Sequence, residues 1–117
     1  MHELSIATSI LDLARQHTPA GAVLRSVSVR AGAMRGIEPH AMEFAWLACT
    51  QGTEAQGSQI KVEILPWKLQ CPACGTEFTS DDPFTPCQCG QKAAHPAGGK
   101  ELQVVSIEVD EKSKDEG

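Results

Sequence analysis

Residues 71–89 read Cys-Pro-Ala-Cys-Gly-Thr-Glu-Phe-Thr-Ser-Asp-Asp-Pro-Phe-Thr-Pro-Cys-Gln-Cys, and Gly90 follows. Four of the chain's five cysteines fall in this stretch as two close pairs, Cys71/Cys74 and Cys87/Cys89, and each pair is followed by glycine. Two thiolate pairs joined by a short loop offer the four corners of a tetrahedral zinc site. The glycines let the backbone turn behind the metal, where a Cβ would clash. The first pair has ordinary Cys-x-x-Cys spacing; the second is one residue shorter. Rival uses of the same residues are weaker. A disulfide framework calls for an export signal, which the start of the chain lacks. A thioredoxin-like pair would open a helix after a buried strand, whereas Cys74 leads into the turn residues Gly75-Thr76-Glu77. A rubredoxin-type iron site uses the same ligands and stays open, as does replacement of Cys87 or Cys89 by His95. An open-sided catalytic zinc is disfavoured, because four thiolates leave no position for substrate.

Outward from this stretch, the 117 residues suit one small domain plus a metal-stapled module. An insert of roughly thirty residues buries too little apolar surface to hold itself, so a metal supplies the missing stability. The apolar share is 41% and no apolar run reaches membrane-spanning length, so no membrane partner is expected. Net charge is −5 with scattered lysines and arginines, and the basic face that nucleic-acid binding calls for is missing. The expected location is the cytoplasm.

Before the cysteines, Leu4, Ala7, Ile10, Leu11 and Ala14 recur at three- and four-residue spacing, which predicts a helix to about His17, ended by Thr18-Pro19-Ala20-Gly21. From Val23 to Arg30 the period switches to two, predicting a strand with Val27 and Val29 inward. Pro39 opens a second helix, with Ile37 and Met42 placed as a hydrophobic staple, and the pattern runs through Phe44, Ala45, Leu47 and Ala48 to Gln51-Gly52. Cys49, within that helix, reads as core, and His17 and His40 as surface. Ile60, Val62 and Ile64 mark a second strand, and Leu102 to Val109 a third, with Val105, Ile107 and Val109 on one face. The third strand has to return and pair with the first two. The expected fold is therefore α+β: a three-stranded sheet packed by two helices, with a zinc-ribbon-like module inserted before the last strand. The boundaries are 1–66 and 100–112 for the main domain, 67–99 for the module and 113–117 for a disordered tail. No phosphate loop or nucleophile motif occurs, so no enzyme is expected.

The chain opens Met1-His2-Glu3. An α-amine, a main-chain amide and an imidazole in succession chelate one metal through nitrogen, which suits square-planar Ni(II) or Cu(II) better than zinc. The bulk of His2 disfavours removal of the initiator methionine, so the amine belongs to Met1.

Met1-His2-Glu3 at the head of an amphipathic helix, the helix–strand–helix–strand order, the paired-cysteine insert and the closing Val105-Ser-Ile-Glu-Val-Asp110 together resemble the HypA/HybF family of hydrogenase-maturation nickel metallochaperones. Ser28-Val-Arg-Ala-Gly32 and Glu54-Ala-Gln-Gly57 share in the resemblance, which spans Met1 to Asp110. It implies that Met1, His2 and Glu3 bind transported Ni(II), making the main domain the nickel-binding one. It also implies that Cys71, Cys74, Cys87 and Cys89 hold structural Zn(II). The implied partners are a HypB-type GTPase and the [NiFe]-hydrogenase large subunit, with urease maturation proteins for some members. Cys87-Gln88-Cys89 departs from the family's usual Cys-x-x-Cys. The competing function is a zinc-ribbon adaptor with no nickel role.

Overall fold

A computed structural model describes residues 2–91 and 94–111, apart from the side chain of His2. Met1, the His2 imidazole and the expected tail at 113–117 thus lie outside the described residues. The elements are α1 (His2–His17), β1 (Ala22–Gly32), a single 3₁₀ turn (Ala33–Arg35), α2 (Pro39–Thr50), β2 (Gln59–Leu65), β3 (Trp67–Gln70), β4 (Glu77–Ser80), β5 (His95–Pro96) and β6 (Leu102–Glu111). They form two three-stranded sheets, ordered β2-β1-β6 and β4-β3-β5. The fold is α+β, as expected, with the last strand returning to pair beside the first.

The chain divides into two compact units. Unit 1 comprises the described residues of Met1–Val29, Ile37–Glu63 and Gln103–Gly117. In it α1 packs against α2. The stripe read from the sequence is the buried one: Ala7, Ile10, Leu11 and Ala14 are all buried, whereas Leu4 is half exposed. Helix α2 starts where Glu38 caps it, its Oε2 accepting the Ala41 N–H at 2.8 Å, with Pro39 in the first turn. Ile37 and Met42, on either side of that cap, are both buried, as a staple requires. Farther along, α2 is apolar on every side, so pattern alone does not choose its inner face. Met42, Ala45, Trp46 and Thr50 are buried, while Phe44 and Leu47 point to solvent. Cys49, expected in the core, is only half-buried, its thiol donating to the Trp46 carbonyl at 3.5 Å. Trp46 has the inner place, and its Nε1 donates to Ser58 Oγ at 3.0 Å.

Strand β1 is central, paired along both edges, and it also buries residues of both parities: Leu24 and Ser26 as well as Val27 and Val29. Ser26 Oγ donates to Glu108 Oε1 at 2.7 Å, and Lys61 Nζ reaches the same oxygen at 3.5 Å. One carboxylate of β6 thereby ties all three strands of this sheet. At its edge, β6 keeps Val105 and Val109 largely exposed, with Ile107 half-buried.

Unit 2 comprises Arg30–Gly36 and Ile64–Leu102. Its strand β3 sits between β4 and β5, antiparallel to both, with Leu69 opposite Phe78 on one side and Pro96 on the other. This second sheet is not foreseen in the sequence. The Arg30–Gly36 segment joins the unit through its backbone: Gly32 N–H donates to Glu101 O and Met34 N–H to Gly99 O, both at 2.8 Å. Arg35 Nε adds a bond to Lys100 O at 2.9 Å. Among the described residues no helix is long and apolar enough to cross a membrane.

Candidate metal centre

The turn that carries Cys71 and the turn that carries Cys87 are built alike. In the first, Gly75 N–H donates to Cys71 O and Cys71 N–H to Thr76 O, at 2.9 and 3.0 Å. In the second, Gly90 N–H donates to Cys87 O and Cys87 N–H to Gln91 O, both at 2.9 Å. Each glycine has the left-handed conformation such a turn needs, with φ of 76° at Gly75 and 98° at Gly90. The residue missing between Cys87 and Cys89 is absorbed inside the turn, while the bonds that aim the thiols are kept. The short spacing therefore does not prevent the second pair from facing the first.

The four Sγ atoms of Cys71, Cys74, Cys87 and Cys89 lie within 4.8 Å of one another. None of the four is in a disulfide. Across the two turns, Cys71 Sγ is 3.5 Å from Cys89 Sγ and Cys74 Sγ is 3.6 Å from Cys87 Sγ. Four thiolates about 2.3 Å from a tetrahedral zinc would be separated by about 3.8 Å along each edge. The cluster is thus the size a four-sulfur ion needs. Cys71 and Cys87 are buried, Cys74 and Cys89 exposed, so one edge of the tetrahedron faces solvent. His95, the alternative ligand, lies on β5 opposite Gln70 and is not part of this cluster.

Proton affinities bear the mark of crowding. The Cys74 thiol is drawn down to about 6, chiefly by a hydrogen bond with the Thr76 hydroxyl, 3.2 Å away, and also by the Thr76 backbone. For Cys89 the Gln91 backbone acts downward, but the thiols of Cys71 and Cys87 outweigh it and push Cys89 up to about 12. Neighbouring sulfurs accept one negative charge readily and resist further ones, which is the cost a bound divalent cation removes. Thr76, immediately after the first knuckle, is a contributor that sequence reading passed over; its signal is a hydroxyl next to the turn glycine.

At the other candidate site, Glu3 lies in the first turn of α1. Its carboxyl is held below the usual range, first by its own backbone N–H and then by that of Glu38. The beginnings of α1 and α2 are therefore neighbours. Glu38 in turn is lowered by the Ala41 N–H and by His40, whose Nδ1 lies 3.3 Å from Glu38 Oε1. His40 is otherwise well exposed, as a surface histidine should be.

Known proteins match this arrangement along its length. A family model described as hydrogenase/urease nickel incorporation, metallochaperone, matches residues 1–109. A hydrogenase maturation factor HypA from Geobacter metallireducens is 34% identical over 111 residues, covering 94% of this chain and all of that one. Another from Trichormus variabilis is 33% identical, covering 95% and 97% respectively. In fold, the chain is similar to the solution structure of the Ni metallochaperone HypA from Helicobacter pylori, with a TM-score of 0.60 at 18% identity over 94% of this chain and 98% of that one. With the family model matched over nearly its whole length, this chain belongs to the HypA family of metallochaperones, maturation factors rather than enzymes.

Proposed function

We propose that this protein carries Ni(II) at its amino terminus and delivers it for [NiFe]-hydrogenase maturation, while a separate Zn(II) held by Cys71, Cys74, Cys87 and Cys89 serves structure alone. The observation that carries the reading is that the family match begins at residue 1, taking in Met1-His2-Glu3. The Met1 amine, the backbone amides and the His2 imidazole form a nitrogen chelate suited to a square-planar ion, with Glu3 in the same site. A carrier has to hold its metal against loss and still surrender it. Ligands at a chain end can be taken one by one by an incoming protein, whereas a closed four-sulfur site exchanges slowly. Partners on this reading are a HypB-type GTPase and the hydrogenase large subunit, with urease maturation proteins as further recipients, in the cytoplasm.

The test is titration calorimetry of nickel into the zinc-loaded, untagged chain. Wild type takes up one nickel; His2→Ala loses that uptake while keeping its zinc and its fold. One residue added before Met1 impairs binding as well, because the amine moves away from His2. Binding by His2→Ala indistinguishable from wild type would leave the zinc-ribbon adaptor as the better reading.

A further inference from the structure

Between β4 and the second knuckle, residues 81–86 form a loop that holds itself firmly. The hydroxyls of Ser80 and Thr85 meet at 2.5 Å, and Asp82 N–H donates to Ser80 Oγ at 3.1 Å. Phe84 N–H donates to Asp82 Oδ1 at 2.9 Å, and the Thr85 hydroxyl and N–H both donate to Asp82 O, at 2.9 and 3.2 Å. Pro83 and Pro86 fix φ on either side of the tip. What this frame presents is Phe84, 84% exposed and the barest large apolar side chain among the described residues. A single exposed apolar residue is ordinary on a surface. One held out by five hydrogen bonds and two prolines has already lost the freedom that binding would otherwise remove.

A second observation adjoins the first. The next residues, Thr85 and Pro86, line an open cleft of about 670 Å³ whose other walls include residues 76–79 and the cysteine cluster itself, through Cys74, Cys87 and Cys89. The cleft thus joins β4, an outer strand of its sheet, to the cysteine turns. Charge then decides what fits. The segment carries Glu77, Asp81 and Asp82, and no lysine or arginine occurs from Leu69 to Gln91. A second copy of this face would set acid against acid, on a chain whose net charge is already −5.

We propose that Phe84 is the anchor by which unit 2 docks the nickel-accepting protein, the ring entering an apolar pocket there whose rim carries lysine or arginine opposite Asp81 and Glu77. This rests on the carrier reading, which requires a receiving protein. The probe is a purified, nickel-free hydrogenase large-subunit precursor, titrated with the full-length zinc-loaded chain. Removing the anchor in Phe84→Ala weakens binding by about tenfold or more, whereas Phe84→Trp stays within about threefold of wild type. Asp81→Lys also weakens binding, and added salt weakens the wild type more than the Asp81→Lys variant. Zinc content and nickel uptake remain those of wild type in every variant. Binding of Phe84→Ala within about twofold of wild type overturns the proposal, hot-spot truncations costing more than that. So does an effect of Phe84→Ala confined to self-association or to the GTPase. A wild-type chain that takes up nickel but does not bind the precursor overturns the docking alone. Failure to take up nickel overturns the carrier reading beneath it.

Discussion

Unit 1 buries Ile10, Leu11, Leu24, Val27, Val29, Met42, Trp46 and Ile60, whereas Leu69 is the one large aliphatic side chain buried in unit 2 among the described residues. The other buried side chains of unit 2 are Ala31 and two thiol-bearing residues, Cys71 and Cys87. Full burial of a leucine contributes about 1.5–3 kcal/mol, while a structural zinc in a small domain contributes on the order of ten. The difference teaches that one chain uses two sources of stability. Oil holds the first unit; the cysteine cluster, with its ion, has to hold the second. It also fits the proposed division between two metals, since an ion that holds a unit together cannot also be the one given away.

Removing the metal is the largest lever on this contrast. Chelation, or Cys71→Ser, unfolds unit 2 and leaves the α1–α2 helical signal in place, which amide NMR spectra and circular dichroism report together. Loss of both units at once would erase the distinction. Next in size is Trp46→Ala, expected to cost unit 1 about 3–5 kcal/mol in denaturant unfolding without changing zinc content. Smaller again is Gly32→Ala in unit 2. A Cβ there would run into the Gly99 carbonyl and the Glu101 carboxylate, on backbone that has little room to move. The expected cost is about 1–3 kcal/mol, read as a lower Tm for the zinc-loaded unit.

The smallest effect concerns Glu108. Its carboxyl is lowered first by the Ser26 hydroxyl and then by Lys61. A folded-state value below the unfolded one adds stability at pH above the unfolded value. That increment is lost as pH falls through the unfolded and then the folded value, so Tm should drop on acidification below about pH 4. Glu108→Gln flattens part of that drop at low pH and leaves metal uptake at neutral pH unchanged. A Tm profile identical to wild type would mean the bonds to Ser26 and Lys61 contribute nothing.

How much of this was legible beforehand follows the range of the interactions. The stripe of α1 and the Pro39 start of α2 with its Ile37/Met42 staple are local patterns, and a single sequence carries them. The cysteine pairs are legible for the same reason: ligand spacing is a local constraint. The β4-β3-β5 sheet was not. Trp67–Gln70 is only four residues long between Pro66 and Cys71, and β5 is two, so neither displays a period. Nor does sequence reveal that Arg30–Gly36 belongs with unit 2, since main-chain bonds from Gly32 and Met34 to residues some seventy positions away leave no side-chain signature. The inner face of α2 was hidden by excess, because a helix apolar all round does not say which residue is core. Trp46 took the place that Cys49 was expected to share.

The division of labour between two metals is best tested by X-ray absorption at the zinc and nickel edges of the chain loaded with one of each. The account predicts zinc surrounded by four sulfurs at about 2.3 Å and nickel surrounded by nitrogen and oxygen alone. Nickel found bonded to sulfur, with His2→Ala leaving its spectrum unchanged, would contradict it.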